Sequence, residues 1–120
     1  EGFIGLLPKR RRYVFEFRHA SWYADEVFEI LARRRISLCL SDHHDAPSPW
    51  LATAPFVYVR GHGPTGRYKG SYPGKTLSAW AKRIEAWRQE KRAVYVYFDN
   101  DQKSAAPRDA LRLMALTGEA

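Results

Sequence analysis

The sequence predicts an α/β fold of the parallel (β/α) barrel type, with residues 1–120 forming one domain of about four β/α units, or half a barrel. Its four strand-length apolar segments are nearly continuous, as is typical of parallel strands covered on both faces. Each segment ends in polar or charged residues, and barrels of this type build their sites from the carboxyl ends of their strands. The predicted strands cover about residues 12–17, 36–41, 56–60 and 93–98.

Three further segments have helical periodicity and can supply the crossovers that parallel strands require. They cover about residues 22–34, 76–90 and 105–117. The first helix is expected to be capped by Ser21, and the second to begin near Thr76 or Ser78. Trp80 and Trp87 fall on the apolar face of the second helix, which predicts a packing role. The third helix carries an apolar stripe of Ala106, Ala110, Leu113 and Met114.

Composition places the chain among small globular domains, because 45% of its residues are hydrophobic. The single cysteine, Cys39, lies in a predicted strand, so the sequence predicts a buried thiol and no disulfide framework. No segment approaches the roughly 18 apolar residues of a membrane span, and no secretory signal is recognisable. We therefore expect a cytoplasmic protein that does not act at a membrane.

The net charge of +7 raises the alternative of a nucleic-acid-binding protein. The basic runs 9–12, 33–35 and 91–92, however, all precede predicted strands. In a parallel α/β fold these positions lie at helix carboxyl termini, where the helix dipole favours cations, and opposite the strand carboxyl ends. A solvated basic rim is therefore the simpler interpretation of these runs.

Polar side chains at the four strand ends are the candidates for chemistry. Arg60 and His62 share a strand face, so one can hold an anionic group while the other acts as a general acid or base. Glu16 and Arg18 also share a face, and Asp42 follows the second strand directly. The predicted catalytic residues are Glu16, Asp42 and His62, and the predicted ligand-binding residues are Arg18, Arg60, Tyr68, Tyr72 and Asn100.

Other polar residues near these positions have simpler interpretations. His43, His44 and Asp45 read as an exposed polar turn, and the residues from Asp99 to Asp101 read first as turn formers. Tyr68 and Tyr72 belong to a glycine-rich loop that we expect to close over the pocket. No pattern with metal-ligand spacing is present, so a metal would need ligands from several strand ends, with Glu16, His62 and Asp99 as the candidates. The residues identify no cofactor.

Taken together, consecutive motifs resemble the YecE-like family, which is catalogued as domain of unknown function seventy-two. They are EFRHASW at 16–22, SD at 41–42, YVRGHG at 58–63, YKGSY at 68–72 with Leu77 and Trp80, and YVYFDN at 95–100. The resemblance implies a TIM barrel whose fifth to eighth strands are the ones present, and it brings no established reaction. It also implies that the candidate residues lie in or near the central pocket. Three residues depart from what the family usually has. Asp99 and Asp109 each stand where Asn is usual, and Gly61 stands where a larger apolar residue is usual. The change at Asp99 is expected to alter the charge of the pocket, and the other two changes are expected to affect packing.

The function expected from these residues is an enzyme-type pocket for an anionic or phosphate-bearing small molecule or nucleotide. Hydrolysis of a phosphate-containing substrate is the default reaction for such a set. The alternatives are a non-catalytic nucleic-acid-binding protein and a truncated half-barrel without activity. Because half a barrel exposes two strand edges, we expect either a missing N-terminal half, a homodimer partner or poor solubility; a small open sheet is the remaining architecture.

Overall fold

A computed structural model describes residues 12–17, 19–43, 47–66, 70–100 and 105–118. It contains a four-stranded sheet in the order β1-β2-β3-β4, and every neighbouring pair is parallel. The strands are β1 (Val14–Phe15), β2 (Ser37–Ser41), β3 (Phe56–Gly61) and β4 (Ala93–Phe98); the helices are α1 (Asp25–Arg33), α2 (Gly74–Gln89) and α3 (Ala105–Thr117). The predicted α/β class and the parallel strands are therefore confirmed.

The register of the sheet sorts its side chains onto two faces. Tyr58 of β3 is aligned with Cys39 of β2 and Tyr95 of β4, and Arg60 is aligned with Ser41 and Tyr97. Because side chains alternate along a strand, these residues share one face, which we call the open face. The intervening residues, such as Val57 and Val59, point to the helices.

The hydrophobic core fills the space between the sheet and the helices. It joins apolar side chains of β2 and β3 to the apolar faces of α1, α2 and α3: Leu31, Ile36, Leu38, Leu40, Val57, Val59, Tyr72, Leu77, Trp80, Ile84, Trp87 and Leu113. Trp80 and Trp87 pack here, as predicted. Trp50 packs against both rings: its centroid is 5.3 Å from that of Trp80, with the rings tilted, and 6.0 Å from that of Trp87, with the rings stacked. The described part of the segment between β2 and β3 therefore packs on the apolar face of α2.

Three details of the helices differ from the sequence predictions. Ser21 does not cap α1; it lies in a short 3₁₀ turn (Ala20–Trp22), and its hydroxyl is 2.7 Å from His19 Nδ1. The N-cap of α1 is Ala24, which makes no side-chain capping bond. Helix α2 begins at Gly74, before the predicted start. Met114 is exposed because the buried face of α3 is formed by Ala105, Ala106, Asp109 and Leu113.

Two of the predicted basic runs fall within the described residues. Arg33 occupies the last turn of α1, and Lys91 and Arg92 directly precede β4. Both positions are at the amino ends of strands, as predicted, and so they lie opposite the candidate site. The run at 9–12 lies outside the described residues except for Arg12. Within the described ranges, no helix is both long and apolar enough to cross a bilayer.

Candidate functional site

Four charged or ionisable side chains meet at the carboxyl ends of β1, β3 and β4. Arg60 of β3 donates from Nη1 to Glu16 Oε1 at 2.8 Å and from Nη2 to Asp99 Oδ2 at 2.7 Å. His62 lies between the same two carboxylates, with Nε2 3.1 Å from Glu16 Oε2 and Nδ1 2.9 Å from Asp99 Oδ1. We call these four residues the strand-end cluster. Each carboxylate in it bridges the guanidinium and the imidazole.

Strand alternation explains why these side chains converge. Arg60 and His62 are two residues apart at the end of β3, so both reach the open face. Tyr97 is the β4 partner of Arg60, and Asp99, two residues later, points to the same face. The sequence predicted Glu16, Arg60 and His62 as site residues, whereas Asp99 was interpreted first as a turn former. The parity of Asp99 with Tyr97 was the signal that could have placed it at the site.

The four side chains of the strand-end cluster differ in solvent exposure, and this difference indicates which of them a ligand can contact. The Arg60 side chain is 33% exposed, while those of Asp99 and Glu16 are 25% and 14% exposed. The His62 side chain is fully buried beneath them. A ligand arriving from solvent therefore meets the guanidinium and the two carboxylates, and His62 communicates with it through those carboxylates.

The two carboxylates also set the charge state of Arg60. Partial burial by itself would lower the pKa of the Arg60 guanidinium, but the adjacent charges of Glu16 and Asp99 outweigh it and raise the pKa. The guanidinium is thus a permanent cation. The His62 Nδ1 atom lies 2.9 Å from Asp99 Oδ1, and both imidazole nitrogens can donate only when the ring is doubly protonated.

Asp42, a predicted catalytic residue, does not join this cluster. Ser41 is aligned with Arg60, so alternation directs Asp42 to the helix side of the sheet. There its Oδ1 accepts the main-chain N–H of His62 at 2.6 Å, and its Oδ2 accepts the hydroxyl of Tyr72. Asp42 therefore positions the backbone of His62 rather than its imidazole.

Burial dominates the electrostatics of the Asp42–Tyr72 pair. It raises the pKa of Asp42 above the ordinary 3.8, although the hydrogen bonds from Tyr72 and from the His62 main chain oppose the shift. Burial and the hydrogen bond to Asp42 together raise the pKa of Tyr72. The Tyr72 hydroxyl also accepts the Gly63 N–H at 2.8 Å. Tyr72 is buried in this structure, so it fixes the turn after β3 instead of forming the outer part of a lid.

Asp109 anchors the loop that carries Tyr72. Its carboxylate is fully buried and accepts the Tyr72 N–H at 2.9 Å, the Asn100 side-chain amide at 2.9 Å and Arg112 Nη1 at 3.0 Å. Asn100 also donates to the Gly70 carbonyl at 2.7 Å. Asn100 is fully buried, so its contacts are with the loop. Asp109 thus has a larger structural role than sequence analysis gave it.

Gly61 has no space for a side chain. A Cβ atom at this position would lie 2.8 Å from Phe98 Cδ1, 2.9 Å from the Tyr72 hydroxyl and 3.1 Å from Trp80 Cη2. The close approach of these groups explains why glycine stands here in place of the larger apolar residue that the family resemblance led us to expect.

The remaining site predictions have different outcomes. Arg18, Tyr68, His44 and Asp45 lie outside the described residues. His43 is buried, not exposed as predicted, because its ring packs edge-to-face on the His62 ring with centroids 5.2 Å apart. Among the described residues no group of three or more His, Cys, Asp or Glu side chains could hold a metal ion.

The strand-end cluster is distinct from a cavity that the described residues form on the helix side of the sheet. This cavity of about 480 Å³ lies between α2, β4 and α3, and is lined largely by apolar side chains. Its location on the helix side of β4 separates it from the strand-end cluster, although Arg88 and Arg92 contribute to its lining. The chemistry of the described residues is therefore concentrated at the strand ends.

Comparison with known proteins agrees with this architecture. A family model described as "Protein of unknown function DUF72" matches residues 1–120. No curated protein matches the chain. A DUF72 family protein of Thermotoga maritima MSB8 superimposes with a TM-score of 0.82 at 24% identity, covering 91% of this chain and 47% of that chain.

Two structures of a DUF72 family protein from Enterococcus faecalis V583 are also similar. Their TM-scores are 0.78 and 0.75 at 19% and 20% identity, and each covers 91% of this chain. This chain covers 48% and 49% of the length of those two structures. The chain thus spans about half the length of the solved structures it matches, and at these identities the likeness shows the fold alone.

Proposed function

This chain belongs to the DUF72 family, which is described as having unknown function, and from that premise we propose a function based on the site. The strand-end cluster binds the anionic group of a phosphate-bearing small molecule or nucleotide and supports its hydrolysis. The observation that carries this proposal is the position of Arg60, a partly exposed guanidinium held between two carboxylates at the strand ends. Strand carboxyl ends are where barrel proteins of this class bind ligands.

Arg60 retains donors for an anion after it has bound both carboxylates. A guanidinium carries five N–H groups in a planar fork. One group on each terminal nitrogen serves Glu16 and Asp99, which leaves three N–H groups for a ligand. Planar pairing with phosphate oxygens is the geometry that guanidinium groups favour.

The charge of the strand-end cluster makes such binding depend on a proton. Two carboxylates and one guanidinium carry a net charge of −1 when His62 is neutral and of zero when it is doubly protonated. An incoming phosphate therefore binds better after the strand-end cluster has taken up a proton.

We infer the proton transfers of a hydrolysis from the positions of the same residues. Glu16 or Asp99, which are partly exposed, accepts the proton of a water molecule whose oxygen attacks phosphorus. As the phosphorus–oxygen bond to the leaving group breaks, the other carboxylate relays a proton from the buried His62 to the leaving oxygen. Asp42 fixes the position of the His62 main chain for this relay by accepting its N–H. Arg18 and Tyr68 remain predicted ligand contacts.

Calorimetric titration of the 120-residue chain with inorganic phosphate and with adenosine monophosphate tests the proposal. Arg60→Lys keeps the positive charge but removes the planar guanidinium. We expect the affinity for phosphate to fall about tenfold, because one charge-assisted hydrogen bond is worth about 1.5 kcal/mol. Arg83→Lys is the matched control, since Arg83 lies over the Trp50 ring on the helix side. Binding that is absent, or unchanged by Arg60→Lys, would contradict the proposal.

Turnover is measured separately, as phosphate released from p-nitrophenyl phosphate by the wild-type chain and by Glu16→Gln. Loss of release with retained binding assigns the proton transfer to Glu16. The nucleic-acid alternative is distinguished by salt, because binding to DNA or RNA weakens steeply as salt rises. No observation on the described residues favours that alternative, since the described basic runs lie at the opposite end of the sheet.

A further inference from the structure

The cavity on the helix side of β4 has the size and lining of a site for a small molecule. Its volume is about 480 Å³, and its walls are α2, β4 and α3. Sites for small organic ligands are typically concave, mainly apolar and roughly 300–1,000 Å³ in volume. All three walls belong to the described part of this chain, so the cavity does not depend on what pairs with the outer edge of β4.

The apolar stripe of α3 extends beyond the part that packs in the hydrophobic core. Leu113 is 5% exposed, whereas Met114 is 41% exposed. Ala110, Leu113, Met114 and Thr117 are three or four residues apart, so they share one face of the helix, and that face lines the cavity. The short side chain of Ala110 leaves room between this face and the sheet.

Strand alternation gives the cavity an apolar floor. Val94, Val96 and Phe98 direct their side chains to the helix side of β4, and all three line the cavity. They are only half-buried, so they retain apolar surface that a ligand can cover. The floor from Val94 to Phe98 is about 13 Å long, at about 3.3 Å per residue, which suits an extended alkyl chain.

Two guanidinium groups mark one end of the cavity. Arg88 lies in the last turn of α2, and Arg92 directly precedes β4, so both line the cavity at the amino end of the strand. Arg92 donates from Nε to Glu90 at 2.7 Å and from Nη1 to the Ala54 carbonyl. These bonds use two of its five N–H groups, and the others are donors of the kind that pair with a carboxylate.

We propose that this cavity binds a free fatty acid. The alkyl chain lies along the floor of β4 between α2 and α3, and the carboxylate pairs with Arg92 at the amino end of the strand. Arg88 adds a second positive charge at that end. The charge complementarity at one end and the apolar lining elsewhere match an amphiphilic anion. The site lies on the other face of the sheet from the strand-end cluster, so this inference does not depend on the function proposed above.

A single methyl signal reports on the cavity. The chain contains one methionine, Met114, and its side chain lines the cavity. With carbon-13 in the methionine methyl group, titration with decanoate below its micelle concentration should shift this signal until it saturates. Octanoate should bind about fifteenfold more weakly, because each buried methylene group contributes about fourfold. Decylammonium has the same alkyl chain with a cationic head and should bind about tenfold more weakly than decanoate.

Matched substitutions locate the ligand by calorimetric titration with decanoate. Ala110→Phe fills the cavity and should abolish binding, whereas Leu111→Phe adds the same ring at a 65% exposed neighbour on α3 and should leave it unchanged. Arg92→Gln should weaken binding about tenfold through loss of a charge-assisted hydrogen bond. Lys82→Gln removes the same charge from an exposed position on α2 outside the lining and should have no effect. Far-ultraviolet circular dichroism verifies that each variant folds.

Three results would overturn the proposal, and two of them come from the wild-type chain. A Met114 signal that does not saturate with decanoate would do so, as it would if another segment of polypeptide filled the cavity. Decylammonium that binds as tightly as decanoate would show that the guanidinium groups do not select an anion. A folded Ala110→Phe chain that binds decanoate as Leu111→Phe does would place the ligand outside the cavity.

Discussion

Glu16 and Arg60 meet through a 2.8 Å hydrogen bond although they are 44 positions apart in the sequence and two strands apart in the sheet. Neighbouring strands are about 4.8 Å apart, so the two side chains must reach across β2. The residues of β2 on that face are Ser37, Cys39 and Ser41, which are all small. The small side chains of β2 therefore allow the strand-end cluster to form above it.

Asp99→Asn is expected to strengthen anion binding. The substitution removes one negative charge from the strand-end cluster while Arg60 keeps its contact with Glu16. Because Asp99 is partly exposed, the loss in the free energy of unfolding should stay below about 1 kcal/mol. Calorimetric titration with inorganic phosphate measures the first effect and urea unfolding the second; weaker phosphate binding by Asp99→Asn would contradict the proposed electrostatics.

Asp42 should make a recognisable contribution to the pH dependence of stability. Its pKa in the folded chain is raised above 3.8, so the folded state holds the proton more tightly than the unfolded state does. The contribution is fully present below the unfolded pKa and is lost as pH rises through the folded pKa. The free energy of unfolding of the wild type minus that of Asp42→Asn should therefore fall as pH rises from 3.8. Urea unfolding at a series of pH values checks the sign, and a difference that rises with pH would show it to be wrong.

Tyr72→Phe should destabilise the chain by about 2 kcal/mol, because it leaves two buried groups without their partner. The Gly63 N–H loses its acceptor, and Asp42 Oδ2 loses its donor. Tyr97→Phe is the control, since it removes a hydroxyl from an exposed ring. Equal stabilities of the two variants by urea unfolding would show that the Tyr72 hydroxyl does not hold the turn.

Gly61→Ala should cost about 1–3 kcal/mol through overpacking, since its Cβ would lie under 3.0 Å from both Phe98 and Tyr72. Gly74→Ala is a matched substitution, because the nearest atom to its Cβ is Arg112 Nη2 at an ordinary 3.6 Å. Thermal unfolding of the two variants should separate them. A Gly61→Ala chain as stable as Gly74→Ala would contradict the close packing at the end of β3.

The sequence predicted β2, β3 and β4 to within one residue because each is a continuous apolar segment that ends in polar residues, whereas β1 was predicted over 12–17 and is only Val14–Phe15. It predicted Glu16, Arg60 and His62 because their polarity and parity within the strands are visible directly. It did not predict the side to which Asp42 turns, which depends on where β2 ends. It also did not predict the burial of His43, which follows from packing against His62, a residue distant in sequence.

Nitrogen-15 NMR of the 120-residue chain during titration with inorganic phosphate tests the anion site most directly. We expect the Arg60 Nε–H signal to shift and saturate, and the His62 ring nitrogens to shift along the same curve because Glu16 and Asp99 connect the two residues. The Arg83 Nε–H signal should not saturate with them. An Arg60 signal that stays in place, or that drifts in parallel with Arg83, would contradict the claim that the strand-end cluster binds an anion.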